Sequence, residues 1–151
     1  MIVAFDPGVT TGVATAKLYG DNEWTVDSFQ LNETELYDWV DSHCDQFDHF
    51  QIERFIITPA TAKKVVVYDS LYLIGYLRYV AWRCQIPTTS YTKAADVMAA
   101  FTDESLKMAG LHTPGKVHAN DAMRHLSYHL VVSHKMPGSR FLLKDNDDTT
   151  T

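Results

Sequence analysis

Four residues of this 151-residue chain have the types and settings needed to hold a hard divalent cation: Asp6, Glu53, His118 and Asp121. Asp6 closes the apolar run Met1–Asp6 and is followed at once by Pro7-Gly8. Glu53 interrupts Phe50–Ile57, an otherwise largely apolar stretch in which a lone carboxylate is costly to bury without a partner. His118 and Asp121 stand three apart in a segment of helical pattern, so their side chains share a face. Three carboxylates and an imidazole make the oxygen-plus-nitrogen set that suits magnesium or manganese. Two such ions held ~4 Å apart activate a water and stabilise the leaving oxygen of a phosphodiester. Taken singly, each residue has a plainer reading: a turn-forming Asp, a solvated Glu, a helix that is polar on one side. The four gain weight together, because each sits where the same centre could be assembled.

The elements that must position them can be read from pattern. Met1–Asp6 reads as a strand buried on both faces. Pro7-Gly8 and Gly12 bracket a turn. Val13–Tyr19 and Trp24–Gln30 read as further strands joined through Gly20-Asp21-Asn22, which gives a three-strand meander. Asn32 with Glu35 forms a capping-box signature, and Leu36, Trp39, Val40, Cys44 and Phe47 keep helical spacing after it. Phe50–Ile57 is the fourth strand, stopped by Thr58-Pro59. A long helix from about Tyr68 to Cys84, a short fifth strand at Pro87–Thr92, and two short helices at Lys93–Phe101 and Asp103–Ala109 follow. Thr113-Pro114-Gly115 breaks the chain before a last helix, Val117–His134. Alternating elements of this kind predict an α/β domain with a five-stranded mixed sheet flanked by helices. We expect one domain over 1–143 and a disordered polar tail over 144–151.

Composition narrows the function classes. At 46% hydrophobic and 12% aromatic residues the chain is no disordered polymer, and no apolar run is long enough for a membrane span. Two cysteines, Cys44 and Cys84, cannot build a disulfide framework, and the start MIVAFDPG lacks the features of a signal peptide; a cytoplasmic protein is expected. The net charge of −6 is unevenly spread. Residues 1–49 carry ten acids against Lys17, whereas 50–144 carry twelve bases against six acids. An acidic protein with a basic surface is thereby allowed, and a nucleic-acid partner with it.

Phe5-Asp6-Pro7-Gly8 with Gly12, Ile52-Glu53-Arg54, and His118-Ala119-Asn120-Asp121-Ala122 together resemble the RuvC-like Holliday junction resolvases of the RNase H-like superfamily. The chain is most similar to the compact forms found in phages, and the resemblance extends to about His134. It implies an RNase H-like fold and a catalytic, metal-binding set of Asp6, Glu53 and Asp121, with His118 where members carry Asp or His. It implies two Mg²⁺ or Mn²⁺ ions, a homodimer, and paired nicks in four-way DNA junctions; whether forks and flaps are cut as well is left open by the sequence. A phage-encoded member would act in the host cytoplasm. Members also carry basic residues near the scissile phosphate. Lys107 and Lys116 are the nearest candidates here, although Met98, Asp103 and Glu104 stand where more basic character is expected. Some members insert an aromatic wedge at the junction, for which Phe55 and Tyr68 are candidates.

Arg54, Lys63 and Lys64, with Arg78, Arg83 and Arg124, are further candidate phosphate contacts, which give affinity rather than sequence reading. His125 and His129 are spaced like a zinc pair but stand one and two turns beyond Asp121, too far to join its centre. The apolar stripe Tyr68, Leu71, Tyr72, Gly75, Tyr76, Tyr79 and Val80 reads by default as core packing against the sheet, and this helix, rich in Tyr, is also where the contact of a dimer is expected. Three other readings remain. An RNase H-like nuclease could act on RNA or other branched DNA. A binding module could keep the fold without activity. A phosphate loop similar to that of actin- and hexokinase-like ATPases would need a second domain that 151 residues do not hold.

Overall fold

The structure is a computed structural model that describes residues 1–19, 23–55, 59, 66–90 and 94–134. Its sheet begins with β1 (Ile2–Asp6), β2 (Thr11–Tyr19) and β3 (Glu23–Leu31), paired antiparallel. After α1 (Glu33–Ser42), β4 (His49–Ile52) returns parallel to β1. The long helix α2 (Val66–Arg83) leads to β5 (Thr88–Thr89), parallel to β4, and the sheet order is β3-β2-β1-β4-β5. Three helices follow: α3 (Ala94–Ala100), α4 (Asp103–Met108) and α5 (Val117–His134). This is the α/β, five-stranded mixed sheet expected from the sequence.

The two-residue period of the strands sorts their side chains between two cores. Val3, Phe5, Val13, Phe50 and Ile52 face one side, where α1 brings Leu36 and Val40 and α2 brings Leu73, Ile74, Leu77 and Val80. Ile2, Ala4, Ala14 and Ala16 face the other, against Leu106 of α4 and Ala122, Met123, Leu126 and Leu130 of α5. The strand residues on this second side are mostly alanine, so α5 lies close to the sheet. Asp6 shares the parity of Ile2 and Ala4 and therefore points toward α5.

Three expectations about elements need correction. The first helix ends at Ser42, where the Ser42 hydroxyl and His43 Nδ1 turn onto the Trp39 carbonyl. Cys44 lies beyond it, and Phe47 packs into the core from the loop. The fourth strand stops at Ile52 rather than Ile57, because β1 ends at Asp6 and offers no partner further on. Gly12 belongs to β2 rather than to a turn. The hairpin residues 20–22 and the tail 144–151 lie outside the described residues.

Candidate metal centre

Asp6 is the last residue of β1 and Glu53 is the first residue past β4. Phe5 pairs with Ile52, and the Glu53 amide donates to the Phe5 carbonyl at 3.1 Å, one further rung of the parallel ladder. The two acids therefore end neighbouring strands side by side, on the face that meets α5.

α5 supplies the other half. Its first turn is seated by two devices. Gly12 pairs with Asp6 in the sheet, and a Cβ added there would lie 1.8 Å from the His118 carbonyl oxygen. Only glycine lets the helix backbone come this close. Gln30, the β3 neighbour of Gly12, accepts the otherwise unpaired His118 N–H through Oε1 at 3.1 Å. The entering loop is tied by Asn120, whose side chain accepts from Thr113 N–H at 2.8 Å and donates to the Thr113 carbonyl at 3.0 Å.

Seated in this way, His118 Nδ1 donates to Asp6 Oδ2 at 2.8 Å. One ligand atom each from Asp6, His118 and Asp121 all lie within 4.8 Å of one another. Glu53 adjoins this group through a hydrogen bond to Asp6. Burial raises the Asp6 carboxyl above the usual carboxylate range, the hydrogen bond from Glu53 pulls it back, and the charge of Asp121 raises it. Glu53 is pushed up to about 8, first by burial and then by the hydrogen bond and charge of Asp6. Glu53 is therefore the carboxyl of this cluster held in its neutral form most readily, with Asp6 beside it. A carboxylate cluster too crowded to ionise fully, with an imidazole beside it, fits a hard divalent cation, which would take over the work of the Glu53 proton.

The sign of the resulting pH dependence is fixed. A carboxyl raised in the folded state binds more protons there than in the unfolded chain, so stability falls as pH rises from about 4.5 toward 8. In EDTA the midpoint of thermal unfolding is expected to drop across that interval. Glu53→Gln should flatten the slope and melt higher than the parent at pH 8. An unchanged slope in Glu53→Gln would assign the effect to other groups.

Two residues beside the centre have places other than the sequence suggests. His125 is buried, and its Nε2 lies 3.9 Å from Glu53 Oε1; burial lowers its pKa. Along the helix His125 is a turn away from Asp121, but across it lies Glu53, just past the end of β4. The position of His125, seven residues after His118 and four after Asp121, was the available signal. Arg124, read as a phosphate contact, is 7% exposed and ion-paired with both Asp121 and Asp103.

Of the remaining candidate contacts, Arg54, Arg78, Lys107 and Lys116 are exposed. Arg83, also exposed, lies 3.9 Å from Asp41 and over the Tyr79 ring. Lys63 and Lys64 lie outside the described residues. Phe55 packs against the α1–α2 core, whereas Tyr68 is exposed on α2. Among the described residues no helix is long and apolar enough to cross a membrane.

No protein-family model and no curated protein matches this sequence. Solved structures do match. The RuvC of T. thermophilus in complex with Holliday junction substrate is 14% identical, with a TM-score of 0.68 over 89% of this chain and 95% of that one. The Thermus thermophilus RuvC structure is 12% identical, with a TM-score of 0.63 and the same coverage. This chain folds as RuvC does, an RNase H-like sheet with helices on both faces.

Proposed function

We propose that the protein is a metal-dependent, structure-selective endodeoxyribonuclease that nicks branched DNA, with the four-way Holliday junction as its principal substrate. The observation that carries this reading is the grouping of Asp6, His118 and Asp121, with Glu53 beside them, in a RuvC-like fold. Asp6, Glu53, His118 and Asp121 would hold two Mg²⁺ or Mn²⁺ ions. When bound, the ions supply Lewis acidity at the phosphodiester and a water nucleophilic at neutral pH. The chain's own residues do the rest. The strand ends fix Asp6 and Glu53, the Gly12–Gln30 seat fixes His118, and the imidazole orients Asp6 through its hydrogen bond.

Arg54, Lys107 and Lys116, with Lys63 and Lys64, are proposed to hold the DNA backbone. Contacts of this kind make affinity fall steeply with salt and leave sequence unread. We assign the protein to the phage-type resolvases and place its activity in the host cytoplasm.

Paired nicks need two active sites, and α2 offers a surface to bring them together. Tyr68, Tyr72, Gly75, Tyr79 and Trp82 recur at three- and four-residue steps on the solvent side, opposite Leu73, Ile74, Leu77 and Val80. Tyr72 and Trp82 are 74% and 76% exposed, a large aromatic area for a face without a partner. Light scattering is expected to give twice the chain mass. Tyr72→Glu with Trp82→Glu should give a monomer that retains Mn²⁺ binding and loses paired cutting. A strict monomer at high micromolar concentration in the unmodified protein would end the homodimer proposal.

The substrate test uses labelled four-way junction, fork, flap, linear duplex and RNA–DNA hybrid, each with Mg²⁺ or Mn²⁺. Symmetric, metal-dependent nicks confined to the junction support a resolvase. Cutting spread over forks and flaps points to a broader debranching nuclease, and cutting of the hybrid to an RNA-directed one. Junction binding with every substrate uncut would leave a catalytically silent binding module.

A further inference from the structure

The proposed chemistry uses Asp121 as a cation ligand and gives no role to Arg124, the most fully engaged charge near the centre. A guanidinium cannot shed its proton on burial, so at 7% exposure it must be paired. Arg124 is paired three times over. Nη1 donates to Asp121 Oδ1, Nη2 to Asp103 Oδ1, and Nε to the Phe101 carbonyl at 2.9 Å. The three acceptors come from different places: the first half of α5, the first turn of α4, and the residue that follows α3. The Phe101 N–H bonds to Val97, so its carbonyl points out of the C-terminal end of α3, where a cation is favoured. Asp103 also has His112 Nε2 at 3.9 Å. With three nitrogens committed, the guanidinium plane has no freedom to turn.

A carboxylate held at one oxygen by a fixed fork has its second oxygen fixed as well. We propose that Arg124 is a positioning residue for the metal centre. Its guanidinium holds Asp121 Oδ1 and turns the other carboxylate oxygen toward Asp6 and His118, while Asp103 and the Phe101 carbonyl hold Arg124 from behind. The inference rests on the reading of Asp121 as a cation ligand and extends it to residues that touch neither cation nor DNA. It also replaces the expectation that Arg124 binds phosphate, since a phosphate could reach this buried group only by displacing a carboxylate. The α3–α4 junction thereby becomes part of the centre's support.

The test is Mn²⁺ binding by the full chain, followed by calorimetry and by the electron paramagnetic resonance of the ion, without DNA. Arg124→Lys keeps the charge and loses the fork; it is expected to weaken Mn²⁺ binding about 10- to 100-fold, the range found for partners that orient metal ligands. Asp103→Asn, remote from the cation, should weaken binding in the same direction by a smaller factor. Melting in EDTA is measured in parallel, and affinities are compared only where the variant is folded at the assay temperature. A lowered melting point with parental Mn²⁺ affinity in both variants overturns the proposal and leaves Arg124 a packing residue. Tighter Mn²⁺ binding in Arg124→Met also overturns it, since the guanidinium would then merely compete with the ion. Should Arg124→Lys fail to fold, Asp103→Asn decides. Parental protein that binds Mn²⁺ but leaves every branched DNA uncut removes the nuclease reading without touching this one.

Discussion

Asp6→Asn is expected to abolish junction cleavage while leaving junction binding intact. Asp6 joins the two flanks of the centre, hydrogen-bonded to His118 on one side and standing beside Glu53 at the neighbouring strand end on the other. Lewis-acid catalysis contributes several kcal/mol to phosphodiester hydrolysis, and a loss of ~4 kcal/mol is about a thousandfold in rate. Asp121→Asn should reduce cleavage comparably. The two variants part company in stability. Asp6→Asn relieves crowding among carboxyls and should melt no lower than the parent in EDTA. Asp121→Asn removes a charge partner of the buried Arg124 and should melt lower. Mn²⁺ is expected to raise the melting temperature of the parent, and both variants should lose that rise. Cleavage at the parental rate in either variant would remove the two-metal mechanism.

The second large effect is expected at a residue with no functional group. Gly12→Ala places a methyl group 1.8 Å from the His118 oxygen, 2.3 Å from its carbonyl carbon and 3.0 Å from Ala119 N. These are backbone atoms of a helix packed on the sheet and cannot swing aside as a side-chain tip could. The first turn of α5 must retreat, and the Gln30 bond to His118 goes with it. Overpacking of this kind costs upwards of about 3 kcal/mol, at the top of its usual range. Urea unfolding should show the loss, and Mn²⁺ binding should disappear at concentrations that saturate the parent. A stability change under about 1 kcal/mol, well below that range, with normal Mn²⁺ binding would mean that α5 does not need this seat.

Much of this arrangement was legible in the sequence, and the exceptions have physical causes. The last helix was placed at Val117–His134 because its start follows a Pro-Gly break and its apolar spacing is continuous. The Asn32–Glu35 capping box was readable because both of its bonds lie within four residues. The end of the fourth strand was not, since Arg54-Phe55-Ile56-Ile57 has strand-like composition and only the length of β1 decides where pairing stops. Arg124 was misjudged for a related reason. Sequence gives the sign of a charge, whereas its use depends on whether Asp103 and Asp121 are folded against it. Gly12 looked like a turn residue because the sequence carries no trace of the helix that arrives a hundred positions later. Asp6 and the His118–Asp121 pair are legible because their chemistry is carried by residue type and local spacing. That Glu53 stands beside Asp6 and is pushed up by it needed the register of β1 against β4.

The hydrogen bond between His118 and Asp6 joins residues 112 positions apart. Closing a loop of that length is slow compared with forming the hairpins of β1, β2 and β3, whose partners are near in sequence. The sheet can therefore be largely built, with Asp6 and Glu53 already side by side, before α5 brings His118 and Asp121 to them. In folding terms the centre is completed only by that docking. Cation capture by the full ligand set becomes a report on the arrival of α5 rather than on collapse.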